Sequence, residues 1–105
     1  MIYTEQIDGI KLDIQTVDLS IDDEVQQNIK EMIKRLRRHI SEINWVDIHF
    51  KKESNHPTDN RTISVRLGIP GNDAFASDSG NHWIDLLKKV EEKLRRQLRK
   101  RKKEN

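Results

Sequence analysis

Cysteine is absent from the 105 residues, which excludes disulfides, thiolate metal sites and cysteine nucleophiles. A thiol-free chain suits a reducing cytoplasm. Glycine and proline are sparse, at four and two residues. No low-complexity block, internal repeat or long linker breaks the chain, so residues 1–105 read as a single domain. One core at this length buries roughly two-thirds of the surface of the unfolded chain. No apolar run approaches the roughly 20 residues of a membrane span, and Met1-Ile2-Tyr3-Thr4-Glu5-Gln6 lacks the basic and apolar regions of a secretory leader. The expectation is a soluble cytoplasmic protein with no membrane partner.

Charge is what the chain has in excess. Charged residues make up 36% and apolar ones 33%, yet the apolar residues recur with regular periods, which argues for a fold with a charged surface rather than disorder. Residues 88–103 hold ten Lys or Arg against two Glu, a net of +8, so the other 89 residues sum to −6 beneath a total of +2. A one-sided cationic helix on an otherwise acidic domain points to a polyanionic partner, RNA or DNA, because phosphate contacts supply most sequence-independent affinity. On a helical wheel Trp83, Leu87, Val90, Leu94 and Leu98 form one narrow arc, and Lys89, Lys93, Arg96, Lys100 and Lys103 track the opposite side. Arg101 takes the next core-facing place after Leu98, so packing should end there. Residues 99–105, with Arg99 and Lys100 among them, should then form a projecting, frayed basic tail. A merely solvated basic helix gives the same pattern; the density of charge favours binding.

Ile10-Lys11-Leu12-Asp13-Ile14-Gln15 alternates as a strand with one wet face. Ser20 or Asp22 can cap a helix with Asp23 and Glu24 in its first turn and Val25, Ile29, Met32, Ile33, Leu36 and Ile40 on its apolar face. Its end carries Lys34, Arg35, Arg37, Arg38 and His39, which suit the negative end of the helix dipole without any ligand. Their number leaves Arg35 and Arg38 as RNA-binding candidates. Val46–Lys51 and Ile63–Ile69 are further alternating runs that should pair antiparallel across the polar loop 54–60. Pro70-Gly71 fits a type II turn into a short strand near Ala74-Phe75-Ala76. The sum is an α+β fold, β-α-β-β-β-α, with two helices on one face of a four-stranded sheet. The first nine residues stay unplaced.

Catalysis finds little support. His39, His49, His56 and His82 show no i, i+4 metal spacing and sit in no catalytic string, Asp22-Asp23-Glu24 is explained by the helix dipole, and no serine lies in a Gly-x-Ser-x-Gly setting. The expectation is a non-enzyme with no cofactor, no metal and no small-molecule substrate. Trp83 should anchor the last helix to the sheet. Trp45 opens a strand, half-exposed, with base stacking the minority reading.

The order of elements, the strand Ile14-Gln15-Thr16, the helix ending in Arg35-Leu36, and the strand pair bearing Lys51 and Arg66 belong to one pattern. The turn Ile69-Pro70-Gly71-Asn72-Asp73-Ala74-Phe75-Ala76 and the terminal Leu94-Arg95-Arg96-Gln97-Leu98-Arg99-Lys100 complete it. The pattern resembles the short ribosome hibernation promoting factor and ribosome-associated translation inhibitor family, also known as sigma-54 modulation proteins. The resemblance implies a single ribosome-binding domain whose partners are the small ribosomal subunit and its ribosomal RNA. Binding would span the messenger and transfer RNA sites and silence translation in resting cells. Carried over by position, it implies RNA contacts at Arg35, Lys51, Arg66, Arg96 and Lys100. Lysines frequent in the family's first helix fall here on Glu31 and Met32, and a string common before the last helix is replaced around Trp83-Ile84-Asp85. Long members add a C-terminal dimerisation domain, and the resemblance to short members implies that this self-contained means of pairing ribosomes is missing. Two other readings remain. A double-stranded-RNA-binding module is disfavoured because a strand comes first and the charge peaks at the helix end. A protein-interaction module could use the open sheet face. Single-strand stacking finds no aromatic among the outward positions Lys11, Asp13, Gln15, Asp47, His49, Ser64 and Arg66.

Overall fold

Asp8 and Gly9 both adopt positive φ, 49° and 83°, the backbone of a two-residue type I′ hairpin turn that Asp-Gly favours. This turn joins β1 (Ile2–Ile7) to β2 (Ile10–Thr16), and it corrects the expected four-stranded sheet to five strands. The computed structural model describes residues 2–17, 19–53, 57–58 and 60–104, with nothing said of the side chains of 102–104. Most of the 54–60 loop, His56 included, therefore lies outside the described residues.

After β2 come α1 (Asp23–Leu36), β3 (Trp45–Lys52), β4 (Arg61–Gly68), β5 (Ala74–Gly80) and α2 (Trp83–Glu104). The sheet order follows the chain, β1-β2-β3-β4-β5, with β2 and β3 parallel and every other pair antiparallel. The parallel pair needs a crossover, and α1 supplies it. The fold is α+β as expected, in the order β-β-α-β-β-β-α. Gly71 at φ 85° provides the left-handed place that the Pro70-Gly71 turn demands, and β5 runs on to Gly80, beyond the short segment expected.

Asp22 caps α1, its carboxylate accepting from the Val25 N–H at 2.9 Å, so of the two capping candidates it is the one used. Val25, Ile29, Met32, Ile33 and Leu36 are buried on one side of the helix. The helix ends at Leu36 rather than continuing to Ile40. Arg37–Ile40 form a further turn bonded back to Ile33, Arg35 and Leu36, which returns a half-buried Ile40 to the core. Inward-facing Leu12, Ile14, Ile48, Val65 and Leu67 meet the helices in a single core. Two-residue alternation in the strands and 3.6-residue periodicity in the helices thus bury one face of each element against the other.

Candidate nucleic-acid interface

α2 is held by Leu86, Leu87, Val90, Leu94 and Leu98, all buried. Burying such side chains stabilises by roughly 1.5–3 kcal/mol each, so the helix is a rigid support for whatever it displays. Along the flank beside β5 run Lys89, Lys93, Arg96 and Lys100, all exposed. They do not stand in one state. The Lys93 ammonium donates to the Ser77 carbonyl at 2.8 Å and lies 3.3 Å from the Asp78 carboxylate. Gln97, one turn on, donates to the Phe75 carbonyl at 2.6 Å and accepts from the Phe75 N–H at 3.1 Å, as a neighbouring strand would. Lys93 and Gln97 therefore close the free edge of β5. Burial pushes the Asp78 pKa up, but the Ser79 N–H, the Lys93 ammonium and, at longer range, the Lys89 charge together outweigh it and hold the carboxyl below its ordinary value. Arg96 pairs with Glu92 at 2.7 Å, an exposed i, i+4 contact. Lys89, Arg99 and Lys100 have no ion pair among the described residues. Lys103 falls within the helix, its side chain outside the described set.

On the other flank α2 meets α1. Arg35 donates from Nε and Nη2 to the two carboxylate oxygens of Glu91, both at 2.8 Å. Glu91 is buried, with its side chain 8% exposed against 43% for Arg35. The hydrogen bonds to Glu91 raise the Arg35 pKa despite its partial burial. Arg35 is thus committed to joining the helices, a role no periodicity indicated, although Glu91 falls at the border of the core arc, next to Leu98 on the wheel. The two helices run parallel because each is antiparallel to a strand of the β2, β3, β5 direction, so their C-terminal ends come together. Two negative dipole ends and the basic stretches that suit them converge at one end of the molecule. There Arg37, Arg38, His39, Pro70, Leu98 and Arg101 line a cleft of about 480 Å³. Arg38 is exposed, Arg37 lies 3.5 Å from Asp8, and the half-buried Arg101 donates to the Pro70 carbonyl at 3.2 Å. The helix continues to Glu104 through the stretch expected to project.

The remaining two candidates lie on the open sheet face. Lys51 is 3.3 Å from Glu53, toward the end opposite the basic cleft. Arg66 sits 4.0 Å from Asp73 with its guanidinium carbon 4.8 Å from the Phe75 ring centre. Phe75, 44% exposed, faces outward because Ala74 and Ala76 face in. Trp45 covers Gly68 on the same face; a Cβ at Gly68 would collide with its indole. The face expected to lack aromatics therefore carries two. Period-two alternation around Phe75 was the available signal. Trp83 does anchor α2, stacking edge-on to Phe50 at 5.1 Å beneath the Arg61 guanidinium. His39, His49 and His82 lie at the end of α1, on the outer face of β3 and before α2. Among the described residues no cluster of three or more His, Asp or Glu suited to a metal forms, and no helix is long and apolar enough to cross a membrane.

The geometry has counterparts in known proteins. The profile of the Sigma 54 modulation protein / S30EA ribosomal protein family matches residues 12–105. A ribosome hibernation promoting factor from Acinetobacter guillouiae is 25% identical over 100 residues, spanning 90% of this chain and 88% of that protein. Among solved structures, a ribosomal subunit interface protein from Coxiella burnetii superposes with a TM-score of 0.73 at 18% identity, covering 87% of this chain and 96% of the other. The N-terminal domain of Protein Y from Thermus thermophilus gives 0.68 at 14% identity, covering 85% and 92%. These two likenesses bear on the fold alone.

Proposed function

Because this chain belongs to the Sigma 54 modulation protein / S30EA ribosomal protein family, we propose that it is a cytoplasmic ribosome hibernation factor. In this reading it binds small-subunit ribosomal RNA across the messenger and transfer RNA sites and holds translation off in resting cells. The observation that carries the proposal is the rigid cationic flank of α2. Lys100 stands free of any carboxylate pair, Lys89 makes no ion pair and only adds its field to that around Asp78, Arg96 holds only an exposed i, i+4 pair, and Arg99 and Arg38 extend the charge toward the converging helix ends. Cations on a pre-organised helix bind phosphate without first folding, and release of condensed counterions drives the association. Lys93 contributes its charge while tied to β5, and Arg66 and Lys51 offer cations on the separate open face. Arg35 acts through the seam rather than by direct contact.

The chain purified from starved cells should co-sediment with small subunits, and the isolated protein should inhibit a cell-free translation system. Undiminished translation at saturating protein removes the proposal. A second reading, protein contact through the open face, is favoured by the exposed Phe75 ring. Nuclease treatment distinguishes the two, since it dissolves an RNA-mediated complex and spares a protein-mediated one.

A further inference from the structure

The two edges of the sheet are treated differently. β5 is closed by Gln97 and Lys93, whereas among the described residues nothing bonds to the outer edge of β1. A two-residue hairpin closes on a hydrogen-bonded pair, here Ile7 and Ile10. Alternation along the ladder then makes Glu5–Leu12 and Tyr3–Ile14 bonded pairs too, leaving the N–H and C=O groups of Ile2, Thr4 and Gln6 directed outward. The strand has no proline and no lysine, the usual guards of an exposed edge. Its one carboxylate, Glu5, is engaged by Lys30 at 3.0 Å and by the Tyr3 hydroxyl at 3.0 Å. Among the described residues the most exposed large apolar side chains are Ile2, on this edge, and Val17, just past the end of β2, at 70% and 68%.

We propose that β1 is a self-association edge that pairs antiparallel with β1 of a second copy of this chain, about a two-fold axis at Thr4. Three observations select a second copy. The outward groups of Ile2, Thr4 and Gln6 are self-complementary when Thr4 faces Thr4, with Ile2 opposite Gln6 of the other copy and Tyr3 opposite its Glu5. The ion pairs Lys30–Glu5 and Arg37–Asp8 set α1 above β1 and in the same direction. Asp23, Gln27, Lys30, Lys34 and Arg37 therefore share the helix flank on this side. With Lys30 and Arg37 already paired, Asp23 and Lys34 remain. An antiparallel two-fold brings Asp23 of one copy toward Lys34 of the other at both ends of the seam, an isologous arrangement. The same operation carries the two basic ends away from each other and leaves each α2 flank uncovered. Self-association and RNA binding are then compatible.

Sedimentation of the intact chain over a concentration series tests this. The expected result is a reversible monomer–dimer equilibrium, of the weak kind that a small interface supports. Thr4→Pro removes an outward N–H without touching the β1–β2 ladder and should abolish the dimer, whereas Thr4→Val, which keeps that N–H, should retain it. Asp23→Lys should weaken association about tenfold by setting lysine against Lys34, and Asp23→Lys combined with Lys34→Asp should restore it. The charge exchange needs no edge proline, so the test stands even where Thr4→Pro does not fold. A chain that remains monomeric up to about 1 mM, the weak limit of specific association, overturns the proposal. So does a dimer indifferent to both Thr4→Pro and the Asp23 and Lys34 exchange. A monomer that binds an extended segment of another protein along β1 would assign the edge to that partner instead.

Discussion

The seam between α1 and α2 and the outer flank of α2 use the same residue types to opposite ends. At the seam, Arg35 and Glu91 meet in a two-point pair with the carboxylate buried, and the charge is spent on holding two helices in register. On the flank, Lys89 and Lys100 face water and make no ion pair, Lys89 feeling Asp78 only at longer range, and Arg96 has only the exposed Glu92. The difference lies in what each head group would give up to bind a phosphate. A surface lysine gives up water, while Arg35 would have to abandon a buried carboxylate and leave it unpaired. Basic positions alike in a sequence thus divide into those that build the surface and those that present charge on it.

The sharpest way to break this comparison is to reverse the flank. Lys89, Lys93, Arg96 and Lys100 changed together to Glu should lower affinity for small-subunit RNA about a hundredfold or more and flatten its salt dependence by about three units in log–log slope. Lys93 also holds β5, so melting should fall slightly. Equal salt slopes for folded wild type and variant would place the RNA surface elsewhere. At the seam the expected effect is on stability. Arg35→Ala strands a buried Glu91 and should cost about 2 kcal/mol in urea unfolding, whereas Glu91→Leu, which removes the buried charge itself, should cost less. An Arg35→Ala variant that unfolds like wild type yet loses RNA binding would return Arg35 to the contact surface.

Much of this division was hidden from the sequence for physical reasons. Alternation and helical periodicity are local, and they sufficed for β2, α1, β3, β4 and α2, for the layer arrangement, and for the side of α2 that meets the core. β1 escaped because its inward positions, Tyr3, Glu5 and Ile7, mix polar with apolar at a sheet edge, so the two faces hardly differ. The Asp8-Gly9 turn was the stronger mark. The Arg35–Glu91 pair spans 56 positions, and a wheel that sorts charged residues outward cannot find a carboxylate whose partner comes from another helix. Lys93 shows the same limit. Its place on the exposed flank was legible, but its bonds to Ser77 and Asp78 depend on where β5 ends up.

That last contact gives the smallest effect and the finest test of the distinction between tethered and free lysines. Burial raises the Asp78 pKa, but the Ser79 N–H, Lys93 and the more distant Lys89 together more than offset it, so the folded carboxyl titrates below its ordinary 3.8. A carboxyl with a lower pKa folded than unfolded holds its proton less tightly in the native state. Its stabilising contribution is therefore complete above the unfolded value and is lost as pH falls through the lower, folded one. Lys93→Met removes one of the three groups that lower the Asp78 pKa, leaving the Ser79 N–H and the more distant Lys89. The variant should be less stable than wild type by a few tenths of a kcal/mol near neutral pH, as partly exposed ion pairs are, and the gap should narrow as the solution is acidified below the ordinary carboxylate range. Lys100→Met, which removes a lysine with no such carboxylate, should show no pH-dependent gap in stability but should reduce the salt dependence of RNA binding by nearly one unit. If the two variants exchange these behaviours, with Lys100 governing the acid limb and Lys93 only the salt slope, the tether between α2 and β5 is not formed in solution and the flank carries one kind of lysine rather than two.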